Sequence, residues 1–225
     1  MKKLVGIASI PSRENGLKEV IKNLSPQVDH IYVWLNGYKD IPKIDKKNVT
    51  FHLSKENVGA LAKMKILSLI DEKDFYYFTC DDDIIYPPNY VEYNLSLYEP
   101  GSIQSSHAKK YLSFPIKSYS SPDRISYYFG SRIKKKDKVH IIGTGVCLMD
   151  SKTAFNINYN DFSTSNMLDV WVSCWAHSNK VPMYIIPHEG GWLSQNPSVS
   201  QINCIWHQAQ SSDIIQTQII NSYFT

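Results

Sequence analysis

Residues 75–90 read FYYFTCDDDIIYPPNY, an apolar segment that leads into three consecutive aspartates. Apolar residues also follow the aspartates, up to a pair of prolines. This pattern is typical of a buried strand that ends in a charged loop, and open α/β sheets bind their ligands at the carboxyl ends of the strands. We therefore expect Asp81, Asp82 and Asp83 to lie at the ligand-binding edge of a sheet.

The sequence before this segment alternates short apolar runs with amphipathic ones. The apolar runs predict strands at residues 3–10, 30–35, 49–53 and 75–79. Apolar residues at three- and four-residue spacing predict helices at 17–24 and 61–70. This alternation is typical of βαβ units, so the expected fold class is α/β, with a mainly parallel sheet flanked by helices.

The carboxyl-terminal half has a less regular pattern. It predicts helices at residues 90–98, 167–176 and 214–224, the last one capped by Ser211-Ser212-Asp213. Residues 140–149 predict a strand interrupted by Gly143-Thr144-Gly145, and residues 101–138 predict long loops. No repeat or linker divides the chain, so we expect a single domain over residues 1–225.

Composition excludes several function classes. The 225 residues include 24 Lys and Arg against 21 Asp and Glu, and the net charge of +3 is too small to favour a nucleic-acid partner. No run reaches the 18 apolar residues of a spanning helix, so membrane contact, if any, is expected to be peripheral. The amino terminus resembles a signal peptide, but it runs into Pro11 without a clear cleavage site and is interpreted as a strand.

The cysteines indicate a compartment. Cys80, Cys147, Cys174 and Cys204 are widely spaced, with no C-x-x-C pair and mostly apolar neighbours. This usage predicts buried free thiols in a reducing, cytoplasmic environment.

The aspartate triplet has a chemical interpretation. Three adjacent carboxylates repel one another unless cations neutralise them, and hard divalent ions prefer oxygen ligands. Mg²⁺ or Mn²⁺ commonly binds one or two carboxylates and substrate phosphates, which points to a nucleotide diphosphate. The alternative is a solvated acidic turn, but the apolar flanks favour a position at the mouth of a core.

The segment 75–90 resembles the Asp-x-Asp region of GT-A-fold, nucleotide-sugar-dependent glycosyltransferases related to family two. Other segments are similar to that family and follow in the same order, over about residues 4–195: IASIPSR at 7–13, VWLNGY at 33–38, NVGALAK at 57–63, and GTG at 143–145 with NMLDVW at 166–171.

The resemblance implies a nucleotide-binding half at 1–100 and an acceptor-binding half at 101–225. It implies a sugar donor, most simply a UDP-sugar, bound with Mn²⁺ or Mg²⁺, and a glycan or other hydroxyl acceptor. The nucleotide-binding residues that it implies are Ser9, Ile10, Pro11, Arg13, Asn36, Asn57, Gly59, Lys63, Asp81 and Asp82. The metal ligands that it implies are Asp81 and Asp83, with Asp83 the direct ligand, completed by His188 or, as the other candidate, His207.

Asp169 matches the catalytic base of inverting members of the family. A carboxylate there would accept the proton of the acceptor hydroxyl. Many family members have a second acid just before this position, whereas this chain has Leu168. The structural alternative for Asp169 is a cap at the start of a helix.

Two other features have both a functional and a structural interpretation. Trp171, Trp192 and Trp206 can stack on sugar faces or pack in the core. The basic stretch 132–138 can attract an anionic acceptor or a membrane surface, or it can be a solvated loop.

The alternative functions are an inactive GT-A domain that only binds a nucleotide sugar or glycan, and a sugar nucleotidyltransferase. The second shares the nucleotide-binding half of the fold. It normally begins with a Gly-rich phosphate loop, which residues 9–13 lack.

Overall fold

The computed structural model describes residues 1–164, 166–199 and 213–224. The strands are β1 (Lys2–Ser9), β2 (His30–Asn36), β3 (Val49–Ser54), β4 (Phe75–Cys80), β5 (Ile84–Ile85), β6 (Ile103–Ser105), β7 (Ala108–Tyr111), β8 (Arg124–Tyr127), β9 (Asp137–Lys138), β10 (Ile141–Ile142), β11 (Val146–Asp150), β12 (Met183–Ile185) and β13 (Ser194–Gln195). The α-helices are α1 (Glu14–Leu24), α2 (Ala62–Lys65), α3 (Tyr90–Ser96), α4 (Ser151–Asn156), α5 (Leu168–Ser178) and α6 (Ile214–Tyr223).

The main sheet has eight strands in the order β3-β2-β1-β4-β11-β6-β12-β9. The pairs β3–β2, β2–β1, β1–β4 and β6–β12 are parallel, whereas β11 is antiparallel to both of its neighbours and β9 is antiparallel to β12. The chain leaves β1 on one side through β2 and β3 and returns on the other side at β4. The crevice between the carboxyl ends of β1 and β4 is therefore the topological switch point, where α/β sheets bind ligands.

Both faces of the central strands β1, β4 and β11 are buried, which explains why these strands are continuous apolar runs rather than alternating ones. On β1, Leu4 belongs to one hydrophobic cluster and Val5 to the other. The same alternation separates Tyr77 from Phe78 on β4. The predicted α/β class, with a mainly parallel sheet and flanking helices, is confirmed.

Helix α1 covers one face of the sheet, as its spacing predicts. Its buried residues include Leu17, Val20, Ile21 and Leu24. Gly16 begins this buried stripe, and a Cβ atom there would overlap the backbone oxygen of Asp82. The missing side chain thus lets α1 approach the aspartate loop closely.

The structure corrects three predictions. The segment 101–138 contains four short strands, β6 to β9, because tertiary pairing orders polar sequence that has no apolar alternation. The predicted helix at 61–70 is α2 between two short 3₁₀ segments, at 59–61 and 66–69. The strand predicted at 140–149 is interrupted at Gly143–Gly145 as expected, but its two parts, β10 and β11, belong to two different sheets rather than to one strand.

A second sheet of three strands lies beside the main one, in the order β10-β7-β8. Helix α5 packs on β10 and on α6. Asp213 precedes α6 without a side-chain capping bond, while Ser211 and Ser212, the rest of the predicted cap, lie outside the described residues. These elements place the start of α5 near the ends of β10 and β11.

Candidate functional site

The three aspartates follow β4 directly, at the switch point, as the sequence predicts. Two cations face them: Arg13, from the loop after β1, and Lys63, from α2. Neither pairing joins residues that are close in sequence, so the parallel sheet creates both. The crevice therefore holds three carboxylates against two positive side chains.

Arg13 bridges two of the aspartates. Its Nη1 atom donates to Oδ1 of Asp82 at 3.1 Å and to Oδ2 of Asp83 at 2.9 Å. Asp82 is only 3% exposed. Burial raises the pKa of Asp82 to about 6, although the charge of Arg13 opposes this shift. The guanidinium is thus the charge that allows a buried carboxylate at this position.

Lys63 and Asp81 form the second ion pair. The Nζ atom of Lys63 donates to Oδ1 of Asp81 and, at 3.3 Å, to the backbone oxygen of Thr144. Burial of Lys63 works to lower its pKa, but the charge of Asp81 and their hydrogen bond outweigh it, and the pKa lies above its usual value. Lys63 therefore stays charged and connects the aspartate loop to the loop at 143–145.

Thr144 extends this connection to the predicted base. Its backbone N–H donates to Oδ1 of Asp169 at 2.8 Å and its hydroxyl donates to the same oxygen at 2.6 Å. Asp169 lies in the first turn of α5, where a negative charge is stabilised by the helix dipole. The bonds that Asp169 receives from described residues both reach Oδ1, and none from these residues reaches Oδ2.

Gly145 allows the close approach of these loops. A Cβ atom at this position would overlap the carboxylate of Asp81, on the side away from the oxygen that Lys63 binds. The backbone oxygen of Gly145 also accepts hydrogen bonds from Asp81 N–H at 3.0 Å and from the Tyr86 hydroxyl at 2.6 Å. The carboxylate position therefore depends on the absence of a side chain at residue 145.

We expect Gly145→Ala to lower the free energy of unfolding by about 2 kcal/mol, because the new methyl group displaces Asp81 from a buried lysine. Urea denaturation followed by circular dichroism measures this change. Gly190→Ala is the matched control, since a Cβ atom there makes only ordinary contacts. Equal stabilities of the two variants would contradict the steric account.

The loop after β1 lines the other wall of the crevice. Oγ of Ser9 is 3.0 Å from the hydroxyl of Tyr38, which also donates to the backbone oxygen of Ile10 at 2.9 Å. Pro11 starts a short 3₁₀ turn that ends at Arg13. The structure therefore brings Ser9, Ile10, Pro11 and Arg13 together beside the aspartates, which is where nucleotide binding by them is predicted.

Asn36 and Asn57 shape the loop before α2. The Asn36 amide accepts from Val58 N–H at 3.0 Å and donates to the backbone oxygen of Gly59 at 3.2 Å. Asn57 Oδ1 accepts from Gly59 N–H at 2.9 Å, and Gly59 has a φ of +60°. Both asparagine side chains thus hold the backbone of this loop, while their predicted contact with a nucleotide stays a prediction.

His188 does not join Asp81 and Asp83 as the predicted third ligand. Its Nδ1 lies 3.1 Å from the backbone oxygen of Glu189, its Nε2 lies 3.4 Å from that of Ser106, and its ring packs against Trp192. The ring therefore lies between two backbone carbonyls, and a neutral imidazole can donate to one of them. Over residues 1–164, 166–199 and 213–224, no three His, Cys, Asp or Glu side chains form a metal-binding group. The other candidate, His207, lies outside the described residues.

The aspartate loop by itself fits a divalent cation held partly by substrate. Its donors are carboxylate oxygens, and one negative charge remains after Arg13 and Lys63 are counted. Oδ2 of Asp82 is also buried without a hydrogen-bond partner among the described residues. Two carboxylates and the oxygens of a bound diphosphate would be a suitable set for Mg²⁺ or Mn²⁺.

Several titratable residues interact with Asp169 or with one another and have no place in the sequence predictions. They are His107, Lys109, Tyr119 and Arg124. The charge of Asp169 acts on the pKa values of His107 and Lys109. No motif marks them, because they lie in the segment 101–138 that the sequence predicts as loops.

The tryptophans have mainly packing roles. Trp171 stacks on Phe162 with ring centroids 5.6 Å apart, and Trp192 packs on α3 and donates to Asn89 Oδ1 at 3.0 Å. Trp206 lies outside the described residues, as does Cys204. The other three cysteines are buried free thiols, as predicted.

The basic stretch 132–138 is tied to the protein rather than fully solvated. Lys136 pairs with Glu99 at 2.7 Å, and Asp137 accepts from Lys110 at 2.7 Å. Arg132 pairs with Glu189 at 3.2 Å at the surface. In the part of the chain that the structure describes, no helix has the length and apolarity to cross a bilayer.

No protein family model and no curated protein matches the sequence. Solved structures do match the fold. The chain is similar to the inositol-1-phosphate CTP transferase from T. maritima, with a TM-score of 0.55 and 12% identity over 97% of this chain and 96% of that one. It is also similar to the 2-C-methyl-D-erythritol 4-phosphate cytidylyltransferase (IspD) of Francisella tularensis, with a TM-score of 0.51 and 10% identity over 94% and 98% of the two chains.

A third similar structure is that of residues 1–349 of S. aureus TarS, with a TM-score of 0.54 and 11% identity. The match covers 84% of this chain and 59% of the TarS chain. At these identities the three matches show the fold, which is GT-A-like.

Proposed function

We propose that this protein is a glycosyltransferase that moves a sugar from a nucleotide donor, such as a UDP-sugar, to a hydroxyl acceptor. The observation that supports this proposal is the pairing of two carboxylate centres across one loop. The aspartates after β4 lie on one side of Gly143–Gly145, and Asp169 lies on the other, joined through Lys63 and Thr144. Glycosyl transfer needs one centre for the diphosphate and another for the acceptor proton.

The crevice between β1 and β4 is the proposed donor site. The loop at Ser9–Arg13 and the loop at Asn57–Lys63 flank it, and a nucleotide there would place its diphosphate at the aspartates. Arg13 and Lys63 are both charged, so they can donate hydrogen bonds to phosphate oxygens. A metal ion that binds their carboxylate partners would free the two side chains for this role. A divalent ion held by Asp81 and Asp83 would stabilise the charge that develops on the departing diphosphate.

Asp169 is the proposed base, through Oδ2. The acceptor hydroxyl oxygen attacks the anomeric carbon, its proton passes to Asp169, and the bond from that carbon to the diphosphate oxygen breaks with its electron pair on the diphosphate. Attack from the face opposite the diphosphate inverts the anomeric configuration. The two bonds from Thr144 to Oδ1 orient the carboxylate for this role.

A thermal-shift screen tests the donor half of the proposal. UDP, GDP and CDP are each added with and without Mn²⁺, because a ligand that binds only the folded state raises the melting temperature. We expect UDP with Mn²⁺ at a hundred times its Kd to raise it by roughly 5–10 °C. Absence of any shift with every nucleotide would refute the proposal.

We expect Asp83→Asn to weaken UDP binding about tenfold or more in the presence of Mn²⁺, because the variant loses a charge that would hold the cation. Isothermal calorimetry with and without Mn²⁺ measures the two affinities. Asp74→Asn is the matched control, since Asp74 is exposed at the opposite end of β4. Unchanged metal dependence in Asp83→Asn would remove this residue from the cation site.

A nucleotidyltransferase is the second candidate function. A buried lysine and a partly buried arginine in one crevice suit a nucleoside triphosphate, and two of the similar structures are described as a CTP transferase and a cytidylyltransferase. In such a reaction a sugar phosphate attacks the α-phosphate of the nucleotide and releases pyrophosphate, without need of a base for a hydroxyl. Pyrophosphate release from a nucleoside triphosphate and a sugar phosphate, with no transfer from a UDP-sugar, would favour this candidate.

A further inference from the structure

One face of the second sheet carries two cations that form no ion pair with any residue that the structure describes. Lys109 on β7 lies directly opposite Ser126 on β8. Arg124 lies two residues from Ser126 on the same strand and donates from Nε to its hydroxyl at 3.0 Å. Directly opposed residues of an antiparallel pair and alternate residues of one strand share a face. Lys109 and Arg124 therefore lie on the same face of this sheet.

Lys109 is partly removed from water without a compensating carboxylate. Its Nζ lies over the ring of Tyr119, 3.4 Å from the centroid, and no described carboxylate lies within 4 Å of it. The groups that act on it are Asp169 and Asp213, which raise its pKa, and Arg124, which lowers it. Burial is the largest effect and lowers the pKa of Lys109 to about 8. Its neighbour Lys110 points the other way and pairs with Asp137 at 2.7 Å.

His107 adds an unused hydrogen-bonding atom next to this face. It precedes Lys109 by two residues, and its Nδ1 is buried with no hydrogen-bond partner among the described residues. Its backbone oxygen accepts from Gly143 N–H at 2.7 Å, and its side chain fills the space that a Cβ atom at Gly143 would need, next to the Thr144 that holds Asp169. A buried polar nitrogen without a partner is costly, so a ligand that reaches it gains from satisfying it.

We infer that this face, with Lys109, Arg124 and His107, binds an oxyanion of the acceptor, so that the acceptor is an anionic molecule such as a phosphate-bearing or carboxylate-bearing glycan. This inference rests on the proposed function, which places the acceptor hydroxyl at Asp169. The backbone oxygen of His107 accepts from Gly143 N–H at 2.7 Å, and the neighbouring Thr144 holds Asp169, so an anion bound at this face would lie close to the attacking hydroxyl. Guanidinium and ammonium groups are the side chains that bind oxyanions best.

The test uses inorganic phosphate and acetate as probes, without any nucleotide. Each anion is titrated at constant ionic strength with chloride as the balance, and the ring signals of ¹⁵N-labelled histidine are followed by NMR. His107→Gln identifies the signals of His107. We expect saturable shifts of these signals with phosphate, acetate or both, and the stronger of the two identifies the kind of oxyanion.

Substitutions assign the effect to this face. We expect Lys109→Met to weaken anion binding about tenfold or more, because a hydrogen bond to a charged group is lost. Lys109→Arg keeps the charge and is expected to retain binding, which separates loss of charge from loss of folding. Lys110→Met is the matched control on the opposite face and is expected to bind the anion like the unsubstituted protein.

Two outcomes would overturn the inference. One is a response of His107 to phosphate and acetate no larger than its response to chloride. The other is equal weakening in Lys109→Met and Lys110→Met, which would indicate general electrostatic attraction. Failure of nucleotide binding in the thermal-shift screen would instead refute the proposed function, and the two failures are therefore distinguishable.

Discussion

Asp169→Asn is expected to lower kcat for sugar transfer by about 10²–10⁴-fold, the usual contribution of a general base. The substitution keeps the size of the side chain and an oxygen that can accept both bonds from Thr144. It removes the ability to take a proton. Nucleotide affinity is expected to stay within about twofold, because Asp169 lies on the acceptor side of the loop at 143–145.

Steady-state kinetics with the donor found by the thermal-shift screen, together with calorimetry of UDP, separates the two effects. Asp161→Asn is the control, since Asp161 is an exposed acid that accepts a hydrogen bond from the Asn158 side chain. A fully active Asp169→Asn variant would show that the carboxylate only holds Thr144 and the start of α5 in place. Nucleotide binding without transfer in the unsubstituted protein would instead favour the inactive GT-A domain. That alternative is suggested by Leu168, which stands where many family members have a second acid.

Arg13→Met is expected to lower the free energy of unfolding by about 3 kcal/mol, because it leaves Asp82 buried without its counter-charge. This loss corresponds to a fall in melting temperature of roughly 6–12 °C for a chain of this size. Differential scanning calorimetry measures it. The value is below the upper end for fully buried pairs because the Arg13 side chain is 19% exposed.

A double substitution makes this prediction specific. Asp82→Asn removes the buried charge, so Arg13→Met with Asp82→Asn is expected to recover part of the lost stability, and the coupling of the two changes isolates the pair. Lys18→Met is the control, since Lys18 forms an exposed pair with Glu14 within α1 and contributes little. Additive effects of the two substitutions would show that Arg13 stabilises the protein in some other way.

The sequence predicts the position of the aspartates correctly but not that of the proposed histidine ligand. Asp81, Asp82 and Asp83 stand out because they interrupt apolar sequence, and the structure places them at the switch point. His188 also stands out, beside two glycines, yet its ring lies against the backbone oxygens of Glu189 and Ser106 and does not join the aspartates. The contact with Ser106 cannot be predicted from the local sequence, because that residue is 82 positions away.

The residues of the proposed anion-binding face could not be predicted from the sequence either. Lys109 and Arg124 lie in a polar segment whose composition predicts loops. Their common face exists because β7 and β8 pair with Lys109 opposite Ser126, and strand register is decided by the whole sheet rather than by local propensity. A longer alternating pattern in this segment would have been needed to predict it.

The sequence by itself determined the α/β class, the succession of strands along the chain up to β4 and the position of the aspartates at the end of β4, because apolar periodicity is local and each strand carries its own pattern. Only the tertiary structure decided which charges meet. Arg13 lies 69 residues from Asp82, Lys63 lies 18 from Asp81, and Thr144 lies 25 from Asp169. These pairs depend on sheet topology and on close approach at Gly16 and Gly145, which are properties of the folded chain and not of any one segment.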